Sequence, residues 1–390
     1  MPSLKELPLV LAFVLLTAIC WGIYGPVLRE GQAAMDNSHL RPFICVGIAY
    51  FVIAIVVPAA LLALKGERGG WTFTGAGWSL AAGAAGALGA LGIILAFHER
   101  GSPVFVMPLV FGGAPVVNTF LTMYFSRTYR QAGPMFYAGL ILVIAGSVTV
   151  LLFKPAPAAR HVGATDSRAE AASPPKTDQD RDQQPQQPAA ASAGLSWSQM
   201  GLVTLFVLGT VVCWGAYGPV LHKGQLAMAG SRLRPFICVG IAYFLIAVLA
   251  PLGLLMSVGE AGGFSPKGIV WSLMGGAAGA VGALGIILAF NSGGKPVYVM
   301  PLVFGGAPVI NTLVSMAGTD ASQVSPLFYA GLIMVILGAA TVLVFAPKPD
   351  HSAAHAGPAA SPASPEPVEA TTGAPPSDRT PRDRTEPHTA

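Results

Sequence analysis

The neutral polar side chains within the apolar segments of this chain are its main candidates for chemistry. They recur as pairs 193 residues apart (214 minus 21 for two tryptophans). Trp and Tyr offer a flat ring with one hydrogen-bonding tip, and Asn both donates and accepts. Such a set suits an uncharged, hydroxyl-rich or ring-bearing solute, although Trp and Tyr are also typical of aromatic belts at membrane surfaces. The candidate binding residues are Trp21, Tyr24, Asn118, Thr119, Trp214, Tyr217, Asn311 and Thr312.

A glycine–proline motif interrupts the fourth apolar segment of each half. The sequence Phe-Gly-Gly-Ala-Pro occupies 111–115 and again 304–308. Proline removes a helical N–H and glycine tolerates non-helical backbone, and paired discontinuous helices mark substrate sites in many transporters. We therefore predict a broken helix in each half, with a simple proline kink as the alternative. The predicted break residues are Gly112, Gly113, Pro115, Gly305, Gly306 and Pro308.

One arginine stands at the start of the second apolar segment in each half. Arg41 and Arg234 both lie in the repeated sequence Leu-Arg-Pro-Phe, and Glu67 and Glu260 follow in the loops after these segments. Either arginine is a gating candidate if it pairs with a loop carboxylate. The alternative is that both side chains snorkel to lipid phosphates.

The composition excludes several classes of function. Hydrophobic residues make up 53% of the 390 residues and charged residues only 10%, so most of the chain belongs in lipid. We find no phosphate-binding loop, no nucleophile elbow and no zinc-protease motif, and no Asp, Glu, Lys or Arg in the heart of an apolar segment. The four cysteines show no metal-ligand spacing. We expect no enzyme activity, no cofactor, no metal and no nucleic-acid partner.

The chain contains one membrane unit twice. The sequence Leu-Arg-Pro-Phe-Ile-Cys-Val-Gly-Ile-Ala-Tyr-Phe stands unchanged at 40–51 and 233–244. A helix that spans a bilayer needs about 20 mostly apolar residues, and each unit supplies five such segments. The predicted spans are 7–28, 42–64, 76–97, 104–125 and 134–153, then 201–221, 235–258, 268–290, 297–317 and 326–345.

Because five is an odd number, the two units must enter the membrane in opposite orientations. We predict an all-α membrane protein with ten transmembrane helices arranged as two inverted five-helix repeats. The larger share of Lys and Arg falls on the side that holds both termini, which places the termini in the cytoplasm and the protein in the cytoplasmic (inner) membrane. The predicted domains are a first repeat at 1–154, a disordered linker at 155–195, a second repeat at 196–348 and a disordered tail at 349–390.

This pattern resembles the EamA-like branch of the drug/metabolite transporter superfamily. The similarity rests on the five-plus-five arrangement, on Trp-Gly late in the first span of each half (21–22 and 214–215), on Pro115 and Pro308, and on a glycine-containing fifth span. The resemblance implies a secondary carrier with a central cavity between the halves and alternating access.

The leading hypothesis is therefore a secondary transporter of a small, neutral, polar solute such as a sugar or a related metabolite. An exporter of amphipathic drugs or metabolites is the second hypothesis. A membrane scaffold or sensor without transport is the third, and a midplane cavity discriminates a carrier from it. The expected partners are the solute and the lipid bilayer, and the sequence leaves open both the oligomeric state and a coupling ion such as sodium.

Overall fold

The structure is a computed structural model that describes residues 7–153, 155, 196–260, 262–292, 294, 296–317 and 324–345. The predicted linker, apart from residue 155, and the predicted tail lie outside the described residues. The described residues all belong to one compact unit, so the two predicted repeats share their packing.

The described residues are helical, with no β-strand among them, which confirms the predicted all-α class. The helices of the first half are α1 (Leu7–Ala33), α2 (Leu40–Lys65), α3 (Phe73–His98), α4 (Pro103–Ser126) and α5 (Pro134–Leu152), with a short 3₁₀ turn at Tyr129–Gln131. Those of the second half are α6 (Trp197–Ala227), α7 (Leu233–Ser257), α8 (Pro266–Asn291), α9 (Pro296–Ser315) and α10 (Pro326–Val344). Within α7 the segment Phe244–Leu249 is a π-helix.

Local sequence signals set the helix boundaries. Ser196 begins α6 with a capping box, in which its hydroxyl accepts from the backbone N–H of Gln199 and the Gln199 side chain accepts from the backbone N–H of Ser196. Ser265 accepts from the N–H of Gly268 at 3.0 Å and starts α8. Gly66 ends α2 with φ near 64°, a conformation that suits a residue without a Cβ.

Nine helices of the described residues are long and apolar enough to cross a membrane; in α9 the apolar run is the shorter segment Leu302–Ser315. Large apolar side chains also cover much of the outside, including Leu15, Ile141, Leu205 and Ile333, each more than half exposed. A water-soluble protein does not expose so much apolar surface. The chain is therefore an integral membrane protein.

Helices from opposite halves pack against each other around the centre. Helix α1 lies against α8 and α9, and its counterpart α6 lies against α3 and α4. Helices α2 and α7 meet each other, as do α5 and α10. Glycine permits the closest crossings, since a Cβ at Gly83 would stand 2.8 Å from the Cα of Val239 in α7.

The prediction of broken helices is wrong for the described structure. Helix α4 runs through Gly112, Gly113 and Pro115 without interruption, and α9 runs through its equivalents Gly305, Gly306 and Pro308. The glycines serve close packing instead, because a Cβ at Gly112 would overlap Val335 of α10, and one at Gly113 would lie 2.9 Å from Val211 of α6. Loss of single N–H groups at the prolines is tolerated because neighbouring helices support the segment.

Candidate functional site

A cavity of about 440 Å³ lies between the two halves, within the size range of small-molecule sites. Aromatic rings dominate its lining. They come in equivalent pairs from both halves: Trp21 and Trp214, Tyr24 and Tyr217, Tyr50 and Tyr243, Phe111 and Phe304.

The two tryptophans present ring surface to the cavity and turn their polar tips into the helices. Trp21 Nε1–H donates to the carbonyl of Gly279 at 3.3 Å, and Trp214 Nε1–H donates to the carbonyl of Gly86 at 3.2 Å. Each tryptophan ring packs against a glycine of the facing helix, as Trp21 does against Gly282, where a side chain would overlap the ring. Both residues line the cavity, and their donors are already used.

The tyrosines form the centre of the aromatic lining. The rings of Tyr50 and Tyr243 stack with their centroids 3.8 Å apart and their planes 3° from parallel. Tyr24 meets Trp214 edge to face at 5.9 Å. The Tyr24 ring lines the cavity, and its hydroxyl is buried with no hydrogen-bond partner among the described residues.

The equivalent asparagines occupy different environments. Asn118 of α4 lines the cavity, whereas Asn311 of α9 is fully buried and its Nδ2 donates to the carbonyl of Pro103 at 2.8 Å. Thr119 and Thr312 are buried outside the lining, and the Thr119 hydroxyl donates to the carbonyl of Pro115 at 2.9 Å. In this conformation, three of the eight predicted binding residues therefore do not line the cavity.

Several residues that line the cavity are not among the predicted binding residues. In the sequence, Tyr50 and Tyr243 fit an aromatic belt at the membrane surface as well as they fit a cavity lining. Phe111 and Phe304 have no polar side-chain atom that would mark them as binding residues. Their recurrence 193 residues apart was the available signal.

The cavity continues to one face of the molecule, which we call the second face because it lies at the ends of α6 and α8. His222, Gln225, Leu226 and Phe290 line this continuation. Helix α6 has no contact with α8 or α9 among the described residues, so the second repeat stands open here.

The equivalent first face, at the ends of α1 and α3, is closed. Helix α1 contacts both α3 and α4 of its own repeat. Arg29 donates to the Asn37 side chain and to the carbonyl of Phe97, each at 3.1 Å, and Gln32 donates to the carbonyl of Ile94 at 3.1 Å. Phe97 is fully buried, whereas its counterpart at the second face lines the cavity.

Each gating arginine lies beside the loop carboxylate of the other half. Arg41 Nη1 is 3.2 Å from Glu260 Oε2, and its Nη2 donates to the Glu260 carbonyl at 2.8 Å. Arg234 Nη1 is 3.7 Å from Glu67 Oε2. The ion pair is therefore tighter at the closed first face than at the open second face.

Each carboxylate also caps a helix of the other half. Glu260 accepts from the backbone N–H of His39 before α2, and Glu67 accepts from the backbone N–H of Arg232 before α7, both at 2.9 Å. Burial opposes ionisation of Glu260, but the hydrogen bonds from Ser38 and His39 outweigh it and lower the pKa of this carboxyl. These caps hold α2 and α7 together at both faces.

The mouth of the cavity carries positive charge. Within the described part of the chain, Arg232 is the sole Lys, Arg, Asp or Glu in the lining. Its Nη1 donates to the Asn291 side chain at 3.0 Å, and its guanidinium lies 5.5 Å from the centre of the Phe290 ring. Burial lowers the pKa of Arg232, an effect that nearby Glu67 opposes.

The described residues form neither a metal-binding group nor a disulfide. Across the described ranges no three His, Cys, Asp or Glu side chains come together in a metal-binding group. Cys20, Cys45, Cys213 and Cys238 are all free thiols.

No protein-family model matches the chain, and no curated protein matches it. The helices and the cavity thus define its class by themselves: a helical integral membrane protein with an aromatic central cavity that opens at one face.

Proposed function

We propose that the chain is a secondary transporter of ten membrane spans, built from two inverted five-helix repeats that expose the central cavity to each side in turn. Three features support this proposal: the duplicated sequence, the odd number of spans in each unit, and the equivalent packing of α4 and α9 against helices of the other half. The same features agree with the resemblance to EamA-like transporters.

One observation carries the proposal. The cavity is open at the second face and sealed at the first, although the two faces are built from equivalent residues of similar repeats. A duplicated chain that adopts two conformations of one unit can exchange them, and the exchange moves the opening to the other face. In the orientation predicted from the Lys and Arg distribution, the open mouth faces the cytoplasm.

The solute that best fits this cavity carries a ring and few polar groups. Both tryptophan N–H groups are bonded to backbone carbonyls and the lining is mostly apolar, so the tyrosine hydroxyls and Asn118 are the main polar partners at depth. A sugar would leave several hydroxyls without partners, at a cost of about 1–3 kcal/mol for each. The geometry therefore favours the amphipathic solute of the second hypothesis over the sugar of the first.

A continuous cavity also favours a carrier over a scaffold or sensor. A scaffold has no need of eight aromatic residues arranged around a central cavity with a buried, unpaired hydroxyl.

The test is a thermal-shift screen of the purified protein followed by flux into proteoliposomes. The panel contains planar aromatic amphipaths, sugars, polyols and lipophilic cations, with and without sodium. A ligand at a hundredfold its dissociation constant adds about 2.7 kcal/mol of stability when it binds the folded state alone. We expect stabilisation and saturable flux with the aromatic amphipaths. Stabilisation by sugars alone would restore the first hypothesis, and no shift or flux across the panel would favour the scaffold.

A further inference from the structure

The two faces differ in the residue types that stand next to the capping carboxylates. Positions 39 and 98 at the first face are both histidine, whereas the equivalent positions 232 and 291 at the second face are arginine and asparagine. The serine before positions 39 and 232 and the arginine two residues after them are the same at both faces. The second face thus carries a fixed charge where the first face carries titratable groups.

His39 lies directly against the carboxylate that caps its own helix. Its Nδ1 is 2.8 Å from Glu260 Oε1, and its side chain is 35% exposed. Its ring meets the His98 ring edge to face at 5.2 Å, and His98 Nδ1–H donates to the carbonyl of Asn37 at 2.8 Å. The two histidines therefore connect α2, the end of α3 and the loop after α1 at the closed face.

Charged groups of both signs surround His39. The Glu260 carboxyl has a lowered pKa, so it is already anionic over the range between pH 5 and 8 in which histidines change charge. Positive charge near the pair comes from Arg29 of α1 and Arg41 of α2. His98 stands at the end of α3, and the Asp36 carboxylate lies in the loop after α1. The groups around the pair are Glu260, Arg41, His98, Arg29 and Asp36.

The ion pair at the closed face is drier than its equivalent at the open face. The side chains of Arg41 and Glu260 at the closed face are 7% and 13% exposed, whereas Arg234 and Glu67 at the open face are 16% and 19% exposed. Charge pairs attract more strongly where less water surrounds them. A protonated His39 therefore gains more from Glu260 when the first face is closed than when it is open.

We propose that His39 and Glu260 form a proton-binding site that links protonation to closure of the first face. The inference rests on the proposed alternation between two states. Its sign follows from the contact: an imidazolium at position 39 attracts the Glu260 carboxylate, so low pH favours closure, and the preference is lost at higher pH, where histidines are neutral. The second face, with Arg232 in the equivalent position, lacks this dependence.

The experiment measures the distance between spin labels at Glu30 and Arg100, two exposed positions on α1 and on the loop after α3. The four native cysteines are replaced, and the protein is studied in lipid nanodiscs from pH 8 to pH 5. We expect two distances whose short-to-long ratio rises by about 1.4- to 5-fold as the pH falls, the effect of one ion pair at a partly exposed site.

The second repeat supplies the matched variants. His39→Arg gives the first face the residue of the second face and should abolish the pH response, whereas His98→Asn should keep it. Arg232→His with Asn291→His should create a pH response at the second face, which tests the site in a protein whose first face is intact.

Two distances with a ratio that ignores pH, or a pH response that survives His39→Arg, would overturn the proton site and leave the proposed transport intact. A single distance under every condition would overturn the alternation itself.

Discussion

The asparagine pair gives the sharpest mutational test, because equivalent residues of the two repeats have different roles in this conformation. Asn118 faces the cavity, and Asn311 is buried with its Nδ2 bonded to the carbonyl of Pro103. We expect Asn118→Ala to weaken solute binding and Asn311→Ala to open the first face.

The magnitudes follow from the hydrogen bonds that each substitution removes. Asn118→Ala removes one neutral bond to the solute, about 0.5–1.5 kcal/mol, which weakens binding by about 2- to 12-fold. Asn311→Ala removes the bond that ties α9 to the Pro103 carbonyl at the first turn of α4, at a cost of about 0.5–1.5 kcal/mol to the closed first face. That cost shifts the ratio of the two states by about 2- to 12-fold.

The assay combines solute affinity with the spin-label distance between positions 30 and 100. Asn118→Ala should lower affinity at unchanged distances, and Asn311→Ala should increase the long-distance fraction. The alternation argument would be refuted if both variants lowered affinity equally while the distances stayed constant.

Two further predictions concern the caps and the aromatic lining. Glu260→Gln should lower the unfolding temperature more than Glu67→Gln, because the carboxylate at the closed face has the closer arginine. The pKa of Glu260 is lowered from its usual value near 4.5, and the stability that the ionised carboxylate supplies is lost as the pH falls through this lowered pKa. Equal shifts in differential scanning calorimetry would contradict this ranking. Trp214→Phe should retain most solute affinity, since the indole N–H already bonds the Gly86 carbonyl, whereas Trp214→Ala should lose about 2 kcal/mol or more as measured by isothermal titration. Equal losses in the two variants would show that the N–H, and not the ring, contacts the solute.

The helices were predictable because apolar length and composition determine where a chain can cross a membrane. The predicted spans and the observed helices overlap in every case. The glycines of α3 allow close contact between helices, as Gly83 against Val239 illustrates. The sequence also identified Trp21, Trp214, Tyr24, Tyr217 and Asn118, because paired polar groups at membrane depth are costly unless they have a function.

Two features were beyond the sequence because they depend on tertiary packing. Whether Gly112 and Pro115 break a helix depends on what fills the space beside them, and Val335 and Val211 fill it. The difference between Asn118 and Asn311 is a property of the conformation, since nearly identical repeats encode two different arrangements.

The pairing of Arg41 with Glu260 illustrates an intermediate case. Both residue types were recognised as gate candidates, but only the structure brings the arginine of one half to the carboxylate of the other. The contact crosses 219 residues of sequence, which no local pattern specifies.

Alternating access is tested most directly by thiol labelling at Ala33 and Leu226, equivalent positions near the first and second mouths. Each is replaced by cysteine, singly and together, in a background without native cysteines, and a bulky, membrane-impermeant maleimide is added from each side of proteoliposomes. Alternation predicts that position 226 reacts readily, that position 33 is protected, and that Asn311→Ala exchanges the two reactivities. Simultaneous reaction of both positions in one molecule, or protection of position 33 under every condition, would contradict the account.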